Sequence, residues 1–199
     1  MKNKLMIILL CGLSLTSCSM FSPVAADDTS TYMLTTIPSS IPKHPRRAGT
    51  LLVMTPDTQP AYNTNRMAYT TKKYQLSYFG RNQWAETPAQ MLLPLIVQSL
   101  QNTEYYRAVA AAPYMGKAEY LLTTQIIKLQ QNFLHKPPTI EFYLRAQLTH
   151  LTNNQVVATK QFAMVTPLHE NTPYGGVLAA NEATGKLLAS LTNFCVENT

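Results

Sequence analysis

Between Thr139 and Leu151 apolar and polar residues alternate without a break, Ile140, Phe142, Leu144, Ala146 and Leu148 falling between Glu141, Tyr143, Arg145, Gln147 and Thr149. A period of two held over that length fits a strand with one face on a core and the other toward water or a partner. Asn153 and Asn154 follow, residues that tolerate positive φ, and a second strand then runs from Val156 to about Val165. The stretch Tyr120–Phe133 is long and rich in Thr, Ile and Gln. Three long strands in a meander are therefore expected.

The other elements are shorter. Val177–Phe194 reads as an amphipathic helix with Ala180, Ala183, Leu187, Leu191 and Phe194 on one stripe. Thr87 suits an N-cap and Pro88 the first helical position, ahead of Met91, Leu92, Leu95, Ile96 and Leu100 at helical spacing. Pro94 inside that pattern is expected to kink the helix or delay its start. Tyr32–Thr35, Thr50–Met54 and residues 105–110 read as short strands, and Arg66–Tyr69 with Tyr74–Phe79 as a hairpin. The fold class expected is α/β: a single domain whose mixed, mostly antiparallel sheet is packed by two main helices. A hydrophobic share of 46% excludes a wholly disordered chain.

The N-terminus is of another kind. Lys2 and Lys4 precede an apolar run from Leu5 to Leu15, too short to cross a bilayer as a helix. Leu15-Thr16-Ser17-Cys18 closes it and resembles the lipobox of bacterial lipoproteins. The resemblance implies cleavage before Cys18, a diacylglycerol on its thiol and an acyl chain on its new amine, which is enough for stable anchoring. Ser19 rather than Asp at the next position implies transfer to the outer membrane, on its periplasmic face. The expected organisation is a signal peptide over 1–17, an acylated Cys and flexible tether over 18–31, and one domain over 32–199.

Losing Lys2 and Lys4 leaves fourteen basic against ten acidic residues, a net charge of +4. That charge is too diffuse for a nucleic-acid partner. Cys11 leaves with the leader and Cys18 is acylated, so Cys195 is the one remaining thiol and no intrachain disulfide is expected.

Catalysis finds no support in the residues. His44, His135, His150 and His169 are scattered without zinc-ligand spacing, and there is no nucleophile elbow or phosphate loop. No metal and no cofactor is expected beyond the lipid on Cys18. Contact residues are more informative. Trp84 and Arg81, just before the first helix, have the makeup of an interface anchor. A large aromatic beside a strand-to-helix turn also closes a core, and the weight falls there. Tyr143 and Arg145 on the outer face of the 139–151 strand are candidates for partner or oligomer contact. Lys43, Arg46 and Arg47, in a proline-rich loop, are candidates for contact with anionic headgroups, against the plainer reading of a solvated loop.

Several segments, in order, resemble the auxiliary lipoproteins of ABC-type transport systems, especially those of paraquat-inducible operons that accompany an MCE (mammalian cell entry) protein. They are the lipobox at Cys18, Tyr32-x-Leu34, Pro60-Ala61-Tyr62, Arg66-x-x-Tyr69, Gln75-Leu76-x-Tyr78, Arg81-x-x-Trp84-Ala85-Glu86-x-Pro88 and Ala118-Glu119-Tyr120-Leu121-Leu122. Glu119, where the family usually has Asp, and Pro94 depart from the pattern. The resemblance implies a fold like the N-terminal domain of TolB. It also implies a non-catalytic accessory subunit that docks an MCE-type assembly and its inner-membrane transport system at the outer membrane, supporting envelope integrity. A ring-shaped homo-oligomer at the channel tip is a further implication. The alternative is an accessory lipoprotein of outer-membrane assembly or lipopolysaccharide export.

Overall fold

The computed structural model describes residues 28–46 and 48–199. Among the described residues, nine strands and two α-helices follow in the order β1 (Ser30–Tyr32), β2 (Ala48–Val53), β3 (Asp57–Thr58), β4 (Arg66–Thr70), β5 (Ser77–Trp84), α1 (Pro88–Gln101), β6 (Tyr106–Ala111), β7 (Tyr120–Asn132), β8 (Thr139–His150), β9 (Gln155–Pro167) and α2 (Pro173–Glu197). A 3-10 turn at Pro60–Tyr62 joins β3 to β4. The signal peptide, Cys18 and most of the tether lie outside the described residues, as does Arg47. Ser30 and Thr31, assigned to the tether by sequence, are already in β1.

Strand β7 is the hub of a mixed sheet. Along one edge it pairs antiparallel with β8, which pairs antiparallel with β9. Along its other edge three short parallel strands stand in series: β2 at Tyr120–Leu122, β3 at Gln125–Ile126 and β4 at Gln130–Asn132. From β4 the sheet continues to β5 and β1, and from β2 to β6. The long pairings are antiparallel, as expected for the meander, and the parallel ones that make the sheet mixed are short. A parallel pairing needs a crossover, and the chain between β4 and β7, which includes α1, supplies it.

The inner face is apolar. Phe142, Leu144, Ala146 and Leu148 are fully buried, and Ile140 nearly so, against α2. On α2, Ala180, Ala183, Leu187 and Leu191 are fully buried, and Phe194 packs edge-on to Phe162 with ring centroids 5.9 Å apart. Each large aliphatic side chain so buried contributes about 1.5–3 kcal/mol. Helix α2 starts earlier than its apolar stripe: Thr172 Oγ1 accepts the Gly175 N–H at 2.9 Å and Pro173 opens the first turn. Gly176 makes room there for the Gln131 side chain: a Cβ would lie 1.8 Å from its amide nitrogen, which donates to Pro173 O at 3.0 Å.

Helix α1 begins at Pro88 as the sequence indicated. The Thr87 N–H donates to Gln90 Oε1 at 3.1 Å, and Met91, Leu92, Leu95, Ile96 and Leu100 are buried. Pro94 sits within the helix on its exposed side and does not delay the start. It removes one backbone donor, and the Gln90 carbonyl it would have bonded stands on an exposed residue.

Two strand assignments need correction. Tyr74 is not on a strand. It lies in the β4–β5 connection at φ 65°, fully exposed, and β5 begins only at Ser77. Residues 33–36 do not extend β1 either. Asn181 on α2 holds them instead: its Oδ1 accepts the Thr35 and Thr36 N–H groups at 2.8 and 3.2 Å, and its amide donates to Met33 O at 3.0 Å. A side chain of α2 takes the place of a neighbouring strand.

Candidate functional site

The face of β7 and β8 turned away from α2 carries the molecule's concentration of polar chemistry. A bulge puts it there. Ile126 pairs with Leu144, whereas Lys128 pairs with Tyr143, so Ile127 is an extra residue. Before it, even-numbered residues such as Leu122 and Ile126 share the inner face with Leu148 and Leu144. After it, Leu129 and Gln131 take that side, and Lys128, Gln130 and Asn132 swing outward beside Tyr143, Glu141 and Thr139.

Glu141 is the centre of this patch and only 7% exposed. Its carboxylate accepts from Lys128 Nζ at 3.2 Å, Gln130 Nε2 at 3.1 Å and Asn132 Nδ2 at 3.0 Å. Burial alone would push the carboxyl up. The Asn132 and Lys128 hydrogen bonds, the Lys128 charge and the Gln130 bond outweigh it, and Glu141 is held below the ordinary carboxylate range. Tyr62 donates to Gln130 Oε1 at 2.7 Å, and burial, then Glu141, then Tyr78 push its phenol up to about 12. Lys128 also lies 5.0 Å from the Tyr143 ring centroid.

A cavity of about 460 Å³ opens over this floor, walled by Lys73, Tyr74, Gln75 and Leu76 of the β4–β5 connection. A carboxylate that accepts from three donors and stays ionised has no proton to deliver at neutral pH. Together with a phenol that stays protonated, it makes a fixed polar surface rather than an acid–base pair. Among the described residues no group of three or more His, Cys, Asp or Glu could hold a metal ion. Cys195 is fully buried in α2, and burial pushes its thiol up, leaving it un-ionised and inert.

The residues singled out by sequence are spread apart. Tyr143 is half-buried and Arg145 exposed, both on the outer face, and Arg145 borders a groove with Asp57, Gln125 and Gln147. Trp84 is 3% exposed at the end of β5, so the indole packs in the core, and its backbone N–H donates to Asn65 O at 2.7 Å. Arg81, three residues earlier, is exposed. Lys43 is committed to an ion pair with Glu104 at 2.5 Å. The His44 N–H donates to Thr103 O at 2.9 Å, which pins the loop to the end of α1, and Arg46 is exposed beside it. Lys128, Gln130 and Asn132 were missed by sequence reasoning. Their signal was a run of polar residues at every second position, visible only once the bulge is known to reset the phase.

The family model for the ABC-type transport auxiliary lipoprotein component matches residues 32–192. The chain belongs to this family. Membership makes it a non-catalytic periplasmic accessory component of transport. No curated protein matches the sequence. Among solved structures, protein XCC0632 from Xanthomonas campestris is similar at 18% identity and a TM-score of 0.75, over 85% of this chain and 96% of that one. A further uncharacterized protein is similar at 15% identity and a TM-score of 0.69, over 84% and 99%. The hypothetical protein CT253 from Chlamydia trachomatis follows at 10% identity and a TM-score of 0.51, over 76% and 100%. At these identities the likeness shows the fold alone.

Proposed function

We propose that this family member is an outer-membrane-anchored periplasmic lipoprotein that docks an MCE-type ABC lipid transport system against the outer membrane and supports envelope integrity. Cys18 carries the acyl chains, and the tether stands the domain off the bilayer by about 20 Å. The supporting observation is the outer face of β7 and β8. It is tied together by three internal hydrogen bonds at Glu141 and covered by neither helix, with Tyr143 and Arg145 displayed on it. A half-buried Tyr beside an exposed Arg is the composition of an interface core. Arg81 extends the contact surface, and Arg46 and Arg47 face anionic headgroups at about 1 kcal/mol per charge. The likeness to the N-terminal domain of TolB, and a ring of copies at the channel tip, belong to this same reading.

The test is isolation of the acylated full-length chain from envelopes with its bound partners. Recovery of an MCE-domain protein is expected, and it should fall in Cys18→Ser, which can no longer be anchored. Recovery of a lipopolysaccharide-export β-barrel in its place would overturn the docking reading in favour of an assembly accessory.

A further inference from the structure

The bulge that turns Lys128, Gln130 and Asn132 outward leaves the outer-face cavity with more hydrogen-bond donors than acceptors. Glu141 spends most of its acceptor capacity on those three side chains. Gln130 Oε1 accepts from the Tyr62 hydroxyl, and Asn132 Oδ1 from the Leu134 N–H. What the floor has left over is N–H, on the Lys128 ammonium and on both amides. On the wall, Lys73 is exposed and, among the described residues, makes no ion pair. Lys72 stands beside it in the β4–β5 connection and Lys136 in the β7–β8 turn, and neither segment carries an acid. Four lysines on or beside the cavity thus face one carboxylate that is already satisfied. The rim is a second, independent observation. Tyr74 holds φ 65°, a strained setting for a bulky residue, while its ring is fully exposed and adds nothing to the packing of the domain. Leu134, 44% exposed, and half-buried Leu76 line the same cavity. Backbone strain that packing does not repay, at the rim of a cavity, points to a functional contact.

We infer that this cavity binds a phosphate ester, with the phosphate oxygens on Lys73 and Lys128 and the carbon portion of the ester against Tyr74 and Leu134. A surplus of donors, two of them cationic, selects a ligand group that only accepts and is negatively charged. A cation would meet unpaired ammonium groups, and a neutral polyol would leave the lysine charge unmatched. A phosphate presents acceptor oxygens on several sides and can take bonds from floor and wall together, which a flat carboxylate does less well. Glu141 does not oppose the anion, because its own charge is met by Lys128 and shared with two amides. It holds the Lys128 ammonium at the floor instead. At about 460 Å³ the cavity is at the small end of ligand sites. It has room for a headgroup but not for long acyl chains, which would leave over the rim at Tyr74 and Leu134. A lipid headgroup and a soluble phosphate ester share this chemistry. The site gives the subunit a ligand of its own and does not rest on which transport partner it docks.

Phosphorus NMR titration of the acylated full-length chain in a maltoside detergent tests the site with dihexanoyl phosphatidylglycerol and with glycerol 3-phosphate. Saturable broadening of both resonances is expected, with the lipid bound more tightly. Lys73→Ala should weaken both by about tenfold or more, and Lys73→Arg should retain them. Lys117→Ala, an exposed lysine on the β6–β7 connection, should change neither. Tyr74→Asn keeps a residue that tolerates positive φ, so folding is spared, and it should remove the preference for the lipid. Equal affinity for the two compounds, with Tyr74→Asn weakening both, would support the same site with a soluble ester as its ligand. No saturable broadening, displacement of either compound by neutral dihexanoylglycerol, or affinities unchanged in Lys73→Ala or in Tyr74→Asn would each overturn the inference. Loss of the transport partner with phosphate binding intact would instead count against the docking function alone.

Discussion

The two faces of β7 and β8 are built from the same strands, yet they are held by opposite physics. Inside, Ile140, Phe142, Leu144, Ala146 and Leu148 meet α2, and the stabilisation is area removed from water, without direction. Outside, Glu141 is nearly as buried, but its stability comes from three aimed donors on the neighbouring strand. The inner face tolerates change in proportion to volume. The outer face instead fails when one member is removed, because the remaining partners are left buried and unpaired. A polar surface cross-linked in this way suits a protein that presents a shape to a partner.

The largest effect should come from the inner face. Phe142→Ala opens a cavity under α2 and is expected to cost about 3–5 kcal/mol, read as an earlier denaturant midpoint. Next is Glu141→Ala, expected to cost about 2–3 kcal/mol by stranding Lys128, Gln130 and Asn132. Glu141 also gives the comparison a pH signature. Its folded-state pKa lies below the ordinary value of 4.5, so its contribution is complete above that pH and is lost as pH falls through the depressed value. Glu141→Gln should flatten that acid limb while leaving the neutral-pH midpoint closer to wild type than the Ala variant does. An unchanged acid limb would show that the three donors do not stabilise the charge.

Smaller effects separate packing from contact. Trp84→Phe is expected to cost about 1–2 kcal/mol, since it shrinks a buried ring, and to leave partner recovery intact. Loss of partner with unchanged melting would reverse that assignment. Arg145→Ala should shift stability by less than about 0.5 kcal/mol, as an exposed substitution does, while weakening partner recovery.

Legibility followed the period of the pattern. β8 keeps one phase from Thr139 to His150, and its core residues and face were readable outright, as were the N-cap at Thr87 and the positive φ at Asn154. β7 changes phase at Ile127, so its outer polar residues hid inside what read as a uniformly mixed strand. Tyr74 was unreadable because an aromatic at φ 65° contradicts local preference and is fixed by the connection around it. Residues 33–36 were unreadable because their partner, Asn181, is on the last helix of the chain. Trp84 was correctly weighted toward the core, but nothing in the sequence showed how completely it would be covered.

The central claim is that the outer face carries the partner. Photo-crosslinkers placed at Tyr143 and at Arg145 in the acylated chain, in intact cells, test it most directly. The account predicts adducts to an MCE-domain protein from both positions, and none from a control site on the exposed side of α1 such as Gln98. Adducts to a β-barrel assembly protein, or no adduct to any transport component from either position, would contradict it.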